Sequence, residues 1–283
     1  HPLKRYKRGK YADRTRLQNL FSTMKQEGWT PDHIAARCRE YIDDLPNRAD
    51  FVYQRKYKQF AAGDLKQAKV DKEVDRMETL MAAARCLPLY QKALADRGLY
   101  DFDDMILNVR DAFREHTDLL QTYQEQFLYI MADEYQDTNG AQNDVLMALA
   151  DFWHQPNLFV VGDDDQSIYR FQGANVANMT DFVQRYIAEL PAEEQAERII
   201  VLRQNYRSTE PILRAAAHLI DQNNGRLVNR FEWLSKDLEA NHSMPAESAP
   251  TVISYPTRHA ESADIARRII DLLDAGTQAH RIG

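Results

Sequence analysis

The spacing of apolar residues changes near residue 127, and this change constrains the fold more than any other feature of the chain. From about Tyr11 to Phe127 glycines are few, long charged side chains are many, and apolar positions recur at three and four, as in Leu17, Leu20, Phe21 and Met24. That is the helical period, so this part is expected to be helical. Thr30 ahead of Pro31 and Asp32 reads as an N-cap with proline at the first helical position, and Leu45-Pro46-Asn47 as a break. Lys66 to Lys92 reads as one long helix with Met77, Leu80, Met81 and Ala84 on its apolar side.

After residue 127 short apolar runs alternate with helix-spaced segments. Phe127–Ala132, then helical spacing over Gly140–Trp153, then Asn157–Val161 make a β-α-β unit whose two strands are expected to lie parallel in one sheet. A helix over about Val176–Leu190, a strand Arg198–Leu202, a helix Pro211–Gln222 capped by Asn223-Asn224-Gly225, a strand Thr251–Tyr255 and a helix Glu261–Leu273 carrying Ile265, Ile269 and Leu272 on one face follow. The order predicts an α/β architecture.

Composition removes several classes of function. No apolar run is long enough for a membrane helix, and His1–Lys10 is basic with no apolar stretch behind it, so neither a membrane nor a secreted protein is indicated. Cys38 and Cys86 have no metal-site spacing and read as reduced thiols of a cytosolic protein. The net charge of −7 argues against polyanionic partners as a sum. Its distribution does not: Lys4, Arg5, Lys7, Arg8, Lys10, Arg14 and Arg16 face a single acid, Asp13, within one stretch. The chain opens on His1 and closes on Arg281-Ile282-Gly283 without a stop signal, and is read as an excised piece.

In an open α/β sheet ligands collect beyond the carboxyl ends of the strands, and three polar strings occupy such places. The first is Asp133-Glu134-Tyr135-Gln136-Asp137-Thr138. An Asp there can hold magnesium and an adjacent carboxylate can face an attacking water, although acids also suit a plain helix N-terminus. The second runs from Gly162-Asp163-Asp164-Asp165-Gln166 through Ser167-Ile168-Tyr169-Arg170-Phe171 to Gln172-Gly173-Ala174. Adjacent carboxylates repel one another, so something positive is expected near them, and the two rings either stack on a ligand or pack in the core. The third is Leu202-Arg203-Gln204-Asn205-Tyr206-Arg207-Ser208-Thr209, where arginine between a strand and a helix can grip a phosphate or join a surface ion pair.

In this order and at this spacing the strings closely resemble motifs II, III and IV of the UvrD/Rep/PcrA group of superfamily 1A DNA helicases. Tyr100-Asp101-Phe102-Asp103-Asp104, Gly173-Ala174-Asn175 and Asn223-Asn224-Gly225-Arg226 agree as well. The likeness is strong over about 96–230. It implies partial RecA-like (P-loop NTPase) parallel-sheet domains behind an all-helical N-terminal subdomain: 1–127 similar to the 1B subdomain, 128–199 to the end of domain 1A, and 200–283 to the start of domain 2A. It also implies an ATP- and Mg2+-dependent enzyme moving 3′ to 5′ on single-stranded DNA and opening ss/ds junctions, in a bacterial-type, nucleoid-associated setting with repair or replication proteins as partners.

Residue by residue, the resemblance implies that Asp133 holds magnesium, Glu134 activates the water and Gln166 contacts the γ-phosphate. Arg207 is implied as an arginine finger from the second RecA-like domain, and Tyr206 and Asp137 as further nucleotide contacts. Tyr169 and Phe171 would stack on single-strand bases beside Arg170. Three departures stand out. Phe171-Gln172 replaces the usual Trp-Arg, Tyr135 replaces Phe, and no GxxxxGK[ST] string occurs, Gly9-Lys10-Tyr11 lacking both the earlier glycine and the hydroxyl residue. The chain by itself is therefore expected not to hydrolyse ATP. Competing readings are the helicase part of a helicase–nuclease and a non-hydrolysing DNA-binding module.

Overall fold

The structure, a computed structural model, describes residues 13–153, 156–167, 175–241 and 250–282. The chain separates into two compact units, His1–Arg198 and Ile199–Gly283. In the first, helices α1 (Arg14–Gln26), α2 (Pro31–Asp44), α3 (Gln67–Ala84) and α4 (Leu87–Ala95) enclose a core that includes Phe21, Met24, Ile34, Cys38, Met77 and Ala84. Thr30 caps α2 as its sequence predicts, Oγ1 accepting the His33 N–H at 3.1 Å with proline in the first turn. Cys38 and Cys86 are unpaired, the first inside this core and the second against it.

Two expectations for this region need correction. The single helix over Lys66–Lys92 is two, interrupted at Arg85-Cys86. Pro88 has no N–H and its ring excludes the Ala84 carbonyl from the ladder, so the chain must restart a helix with Pro88 in its first turn. Nor is the N-terminal part helical throughout. Two 3-10 turns, Leu45–Asn47 and Ala49–Phe51, lead into an antiparallel hairpin bridged at Val52–Leu65 and Tyr57–Phe60. Its β-branched and aromatic residues favour extended backbone, and Gly63 at φ +94° permits the bend.

Helix α5 (Phe102–Glu115) starts in a reciprocal capping box between Asp101 and Asp104, and α6 (Thr117–Gln126) leads to the sheet. Strands β1 (Ile130–Ala132) and β2 (Leu158–Val160) pair in parallel, Met131 opposite Phe159, on either side of α7 (Gly140–Ala150). The expected β-α-β unit is therefore present. Helices α8 (Ala177–Tyr186) and α9 (Ala192–Arg198) complete the described part of the unit.

The second unit holds β3 (Gln204–Asn205) parallel to β4 (Glu239–Ala240), with α10 (Glu210–Ile220), α11 (Leu227–Arg230) and α12 (Arg258–Asp274). The strands expected at Arg198–Leu202 and Thr251–Tyr255 are not formed. Ile200, Leu202 and Val252 are 73, 76 and 97% exposed, and an apolar run becomes a strand only where a neighbouring backbone takes its N–H and C=O groups. Helix α10 ends at Ile220 with Asp221 in right-handed geometry as its C-cap, not at Gly225; Asn223 instead closes its own turn by accepting the Gly225 N–H at 2.9 Å. Ile265, Ile269 and Leu272 do share a face of α12, as their spacing predicts, and that face is exposed. Among the described residues no helix is long and apolar enough to cross a membrane.

Candidate functional site

The first acidic string leaves the carboxyl end of β1 in a tight turn. Glu134 sits at φ 49°, ψ 39°, left-handed backbone that costs a non-glycine residue roughly 1–2 kcal/mol, and Tyr135–Asp137 continue as a 3-10 turn. Strain of this kind persists where surrounding contacts hold it, and here they are visible. Asp133 Oδ1 accepts the Glu134 N–H at 2.9 Å, Tyr135 N–H donates to Val161 O at 2.9 Å, and Asp137 N–H to Glu134 O at 2.8 Å. Tyr135 is buried edge-on to Phe182, and its hydroxyl donates to Asn143 Oδ1 at 2.5 Å. Burial first, then nearby Tyr186 and Asp181, push that phenol up to about 12. The string thus alternates buried anchors with carboxylates open to solvent: Asp133 and Glu134 are exposed, Tyr135 and Gln136 buried.

Gln136 joins this turn to the second string. Its Nε2 donates to Glu134 Oε2 at 2.7 Å, while its Oε1 accepts the Asp163 N–H at 3.0 Å. Asp163 in turn accepts from Asp165 N–H through Oδ1 and from Gln166 Nε2 through Oδ2, at 3.1 and 2.8 Å. One amide therefore holds Glu134 on one side and the loop carrying Gln166 on the other. Gly162 makes the approach possible, since a Cβ there would lie 2.7 Å from Gln136 Oε1 and 3.2 Å from its backbone nitrogen. A second brace acts on Thr138, whose carbonyl accepts Asn175 N–H at 3.1 Å and Asn178 Nδ2 at 3.0 Å; Asn175 Nδ2 also donates to Glu27 Oε2. Asp133, Glu134, Asp137 and Thr138, with Ile106 and Leu146, border an open depression of about 440 Å³.

The third string lies in the second unit. Asn205 Oδ1 accepts the N–H groups of Arg207 and Ser208, at 3.0 and 2.8 Å, a side-chain turn that ends β3 and starts the approach to α10. Tyr206 is 68% exposed, and the exposed Arg207 makes no ion pair among the described residues.

Comparison with known proteins decides the family. The model of the UvrD/REP helicase N-terminal domain matches residues 4–187, and that of the UvrD-like helicase C-terminal domain matches residues 200–283. The chain belongs to the UvrD/REP helicase family. It is 44% identical over 148 residues to the ATP-dependent DNA helicase PcrA of Bacillus subtilis, 43% over 142 residues to DNA helicase II of Escherichia coli, and 37% over 150 residues to the putative ATP-dependent DNA helicase YjcD of Bacillus subtilis. These matches cover 52, 50 and 53% of this chain and 18% of each relative.

Within this UvrD-type frame, the structure brings Asp133, Glu134, Asp137 and Gln166 to the carboxyl ends of one pair of parallel strands. Tyr206 and Arg207 belong to the other unit. Tyr169, Arg170 and Phe171 lie outside the described residues, as does the basic stretch up to Lys10. Gln136 has no separate part in the sequence motifs, yet its side chain joins the two acidic turns. A long amide set between two carboxylate-bearing turns was the available signal. Gln136→Leu, close in volume but without hydrogen-bonding atoms, unpairs the Asp163 N–H and releases Glu134; it is expected to cost about 1–3 kcal/mol, seen as a lower urea midpoint. Gly162→Ala is expected to cost a similar ~1–3 kcal/mol by overpacking, because the nearest atoms include backbone that cannot swing away.

Proposed function

We propose that this chain forms part of an ATP-driven DNA helicase: the magnesium- and water-handling side of one RecA-like domain, over about 128–199, followed by the start of a second from 200, behind a 1B-like subdomain over 1–127. The observation that carries the reading is the single amide of Gln136 tying Glu134 to the Gln166 loop at the strand ends. A site built only as a helix N-terminus would not need a glycine cleared for that amide.

The residues fit a hard divalent cation. Asp133 is an exposed carboxylate at the strand end, and Asp137 Oδ1 is buried without a hydrogen-bond partner beside it. Mg2+, when bound with ATP, neutralises phosphate charge, and Asp133 and Asp137 would hold it. Glu134 takes the proton of the water whose oxygen bonds the γ-phosphorus as the bond to the β,γ-bridging oxygen breaks. Gln136 keeps that carboxylate aimed, and Gln166, whose amide donates to Asp163, would turn to a γ-phosphate oxygen. Arg207 offers its fork to phosphate charge and Tyr206 a face to adenine. Tyr169 and Phe171, flanking Arg170, are assigned to single-strand bases, so that hydrolysis moves the strand 3′ to 5′ and opens ss/ds junctions, in a cytoplasmic setting of DNA repair or replication.

Hydrolysis tests this. Single-strand-stimulated ATP turnover is measured for the 283-residue chain and for a polypeptide that joins it to a phosphate-binding loop. Turnover only in the second is expected. Turnover in neither, with DNA still bound, would replace the motor by a DNA-binding module.

A further inference from the structure

The hairpin between α2 and α3 does not border the depression beside Asp133 and Glu134, and its surface combines cations with aromatic rings. Residues 51–69 carry Arg55, Lys56, Lys58, Lys66 and Lys69 against one carboxylate, Asp64, on a chain of net charge −7. Asp64 is already used, its Oδ2 accepting the Ala61 N–H at 2.6 Å. None of the five cations forms an ion pair among the described residues; Lys66 and Lys69 donate to the Asp50 carbonyl, each at 3.1 Å. Three of them lie over rings, and Arg55 and Lys56 are exposed beside Tyr57 in sequence. Tyr53 stacks on Phe60 with centroids 4.7 Å apart and on Tyr57 at 6.0 Å, the planes within 9 and 11° of parallel. Lys66 lies over Tyr53, Lys58 over Tyr57 and Lys69 over Phe51. Tyr57 is 54% exposed at the tip, where Lys58 adopts φ 52° in a turn that glycine would occupy more cheaply.

Parallel rings ringed by unpaired cations are what a single nucleic-acid strand needs, since bases stack on aromatic faces and phosphates are met by Lys and Arg. A duplex keeps its bases stacked inside and has no use for the rings. An acidic peptide would use the cations and leave Tyr57 idle. We propose that the Tyr53–Phe60 hairpin is a contact for single-stranded DNA, Arg55, Lys56 and Lys58 meeting phosphates and Tyr57 stacking a base. It rests on the helicase reading for the choice of DNA over other polyanions, and adds a strand contact remote in sequence from residues 169–171.

The test is fluorescence anisotropy of a short labelled oligothymidylate titrated with the 283-residue chain over a series of salt concentrations. The combined variant Arg55→Gln, Lys56→Gln, Lys58→Gln is expected to weaken binding about tenfold at low salt and to flatten the log–log salt slope by roughly 2, at about 0.7 per phosphate contact. Tyr57→Ala is expected to weaken it roughly five- to a hundredfold with the slope unchanged. These four side chains are exposed, and unchanged far-ultraviolet dichroism and melting would show the fold intact. Wild-type affinity in both variants overturns the proposal, as does failure of the unmutated chain to bind. Displacement by polyglutamate as readily as by unlabelled oligothymidylate, with Tyr57→Ala harmless, overturns it in favour of an acidic partner. Phe171→Ala separates the two readings: loss there with neutral hairpin variants removes the hairpin and leaves the helicase, whereas hairpin-dependent binding without turnover in the loop-bearing polypeptide does the reverse.

Discussion

Glu134→Gln, in a polypeptide joining this chain to a phosphate-binding loop, is expected to lower single-strand-stimulated ATP turnover about a thousandfold, the usual weight of a positioned proton acceptor. The substitution is close to isosteric. The new amide oxygen still accepts from Gln136 Nε2, so the turn, the Gln136 bridge and the left-handed backbone at residue 134 have no reason to change. What is lost is the capacity to take a proton from water. Binding of nucleotide and of oligothymidylate should therefore survive while turnover disappears. A fall in binding parallel to the fall in turnover would mean that Glu134 holds the nucleotide and another group acts as base. Near-normal turnover would remove Glu134 from the chemistry altogether.

Lys25→Met is expected to destabilise the first unit by about 3 kcal/mol, the lower end for breaking a buried ion pair, measured as a drop in urea midpoint. Lys25 is 1% exposed at the end of α1 and bonds Asp101 Oδ2 and Asp104 Oδ1, both at 2.7 Å, with its ammonium 5.2 Å from the Tyr90 ring centre. Methionine restores the volume but leaves the two carboxylates of the α5 capping box facing each other without a cation. Burial pushes the Lys25 ammonium down, but hydrogen bonds and charge from Asp101 and Asp104 outweigh it and leave it above the ordinary lysine value. Asp104 is pushed up by burial, but hydrogen bonds from Lys25 and Asp101 and the Lys25 charge together outweigh it and leave the carboxyl below the ordinary range. The lysine contribution is present at neutral pH and is lost as pH rises through its raised value; the carboxylate contribution is present above the usual aspartate range and is lost as pH falls through its lowered value. The gap between wild type and Lys25→Met should accordingly be full at neutral pH and close in acid. A gap that persists after Asp104 is protonated would assign the loss to packing against Tyr90 instead of to charge.

The Asp101–Asp104 string illustrates what resemblance alone leaves open. It helped to point to the family, and in three dimensions it is a structural lock: Asp101 and Asp104 hold Lys25, while Asp103 accepts from Ser22 Oγ at 2.6 Å and Gln26 Nε2 at 3.2 Å. The lock fixes α5 against α1 and so positions Ile106 at the edge of the depression beside Asp133 and Glu134.

Local rules were enough for features decided within a few residues. The Thr30 cap, the parallel β-α-β unit and the apolar face of α3 follow from period and capping, because a helix or a paired strand repeats its burial along the chain. The acidic strings were legible because each is contiguous and follows directly on an apolar run, and their order and spacing carried the resemblance to the family. Distant partners decided the rest. Ile199–Leu202 and Val252 have strand composition but pair with no strand among the described residues, and composition cannot supply one. The Gln136 bridge spans two loops 27 residues apart and exists only because β1 and β2 lie side by side with Gly162 between them. Likewise the cations of the hairpin are scattered in sequence and meet Tyr53, Tyr57 and Phe60 only when the chain turns back on itself. Periodicity records which side of an element is buried; what that side, or the opposite one, meets is settled by packing between elements.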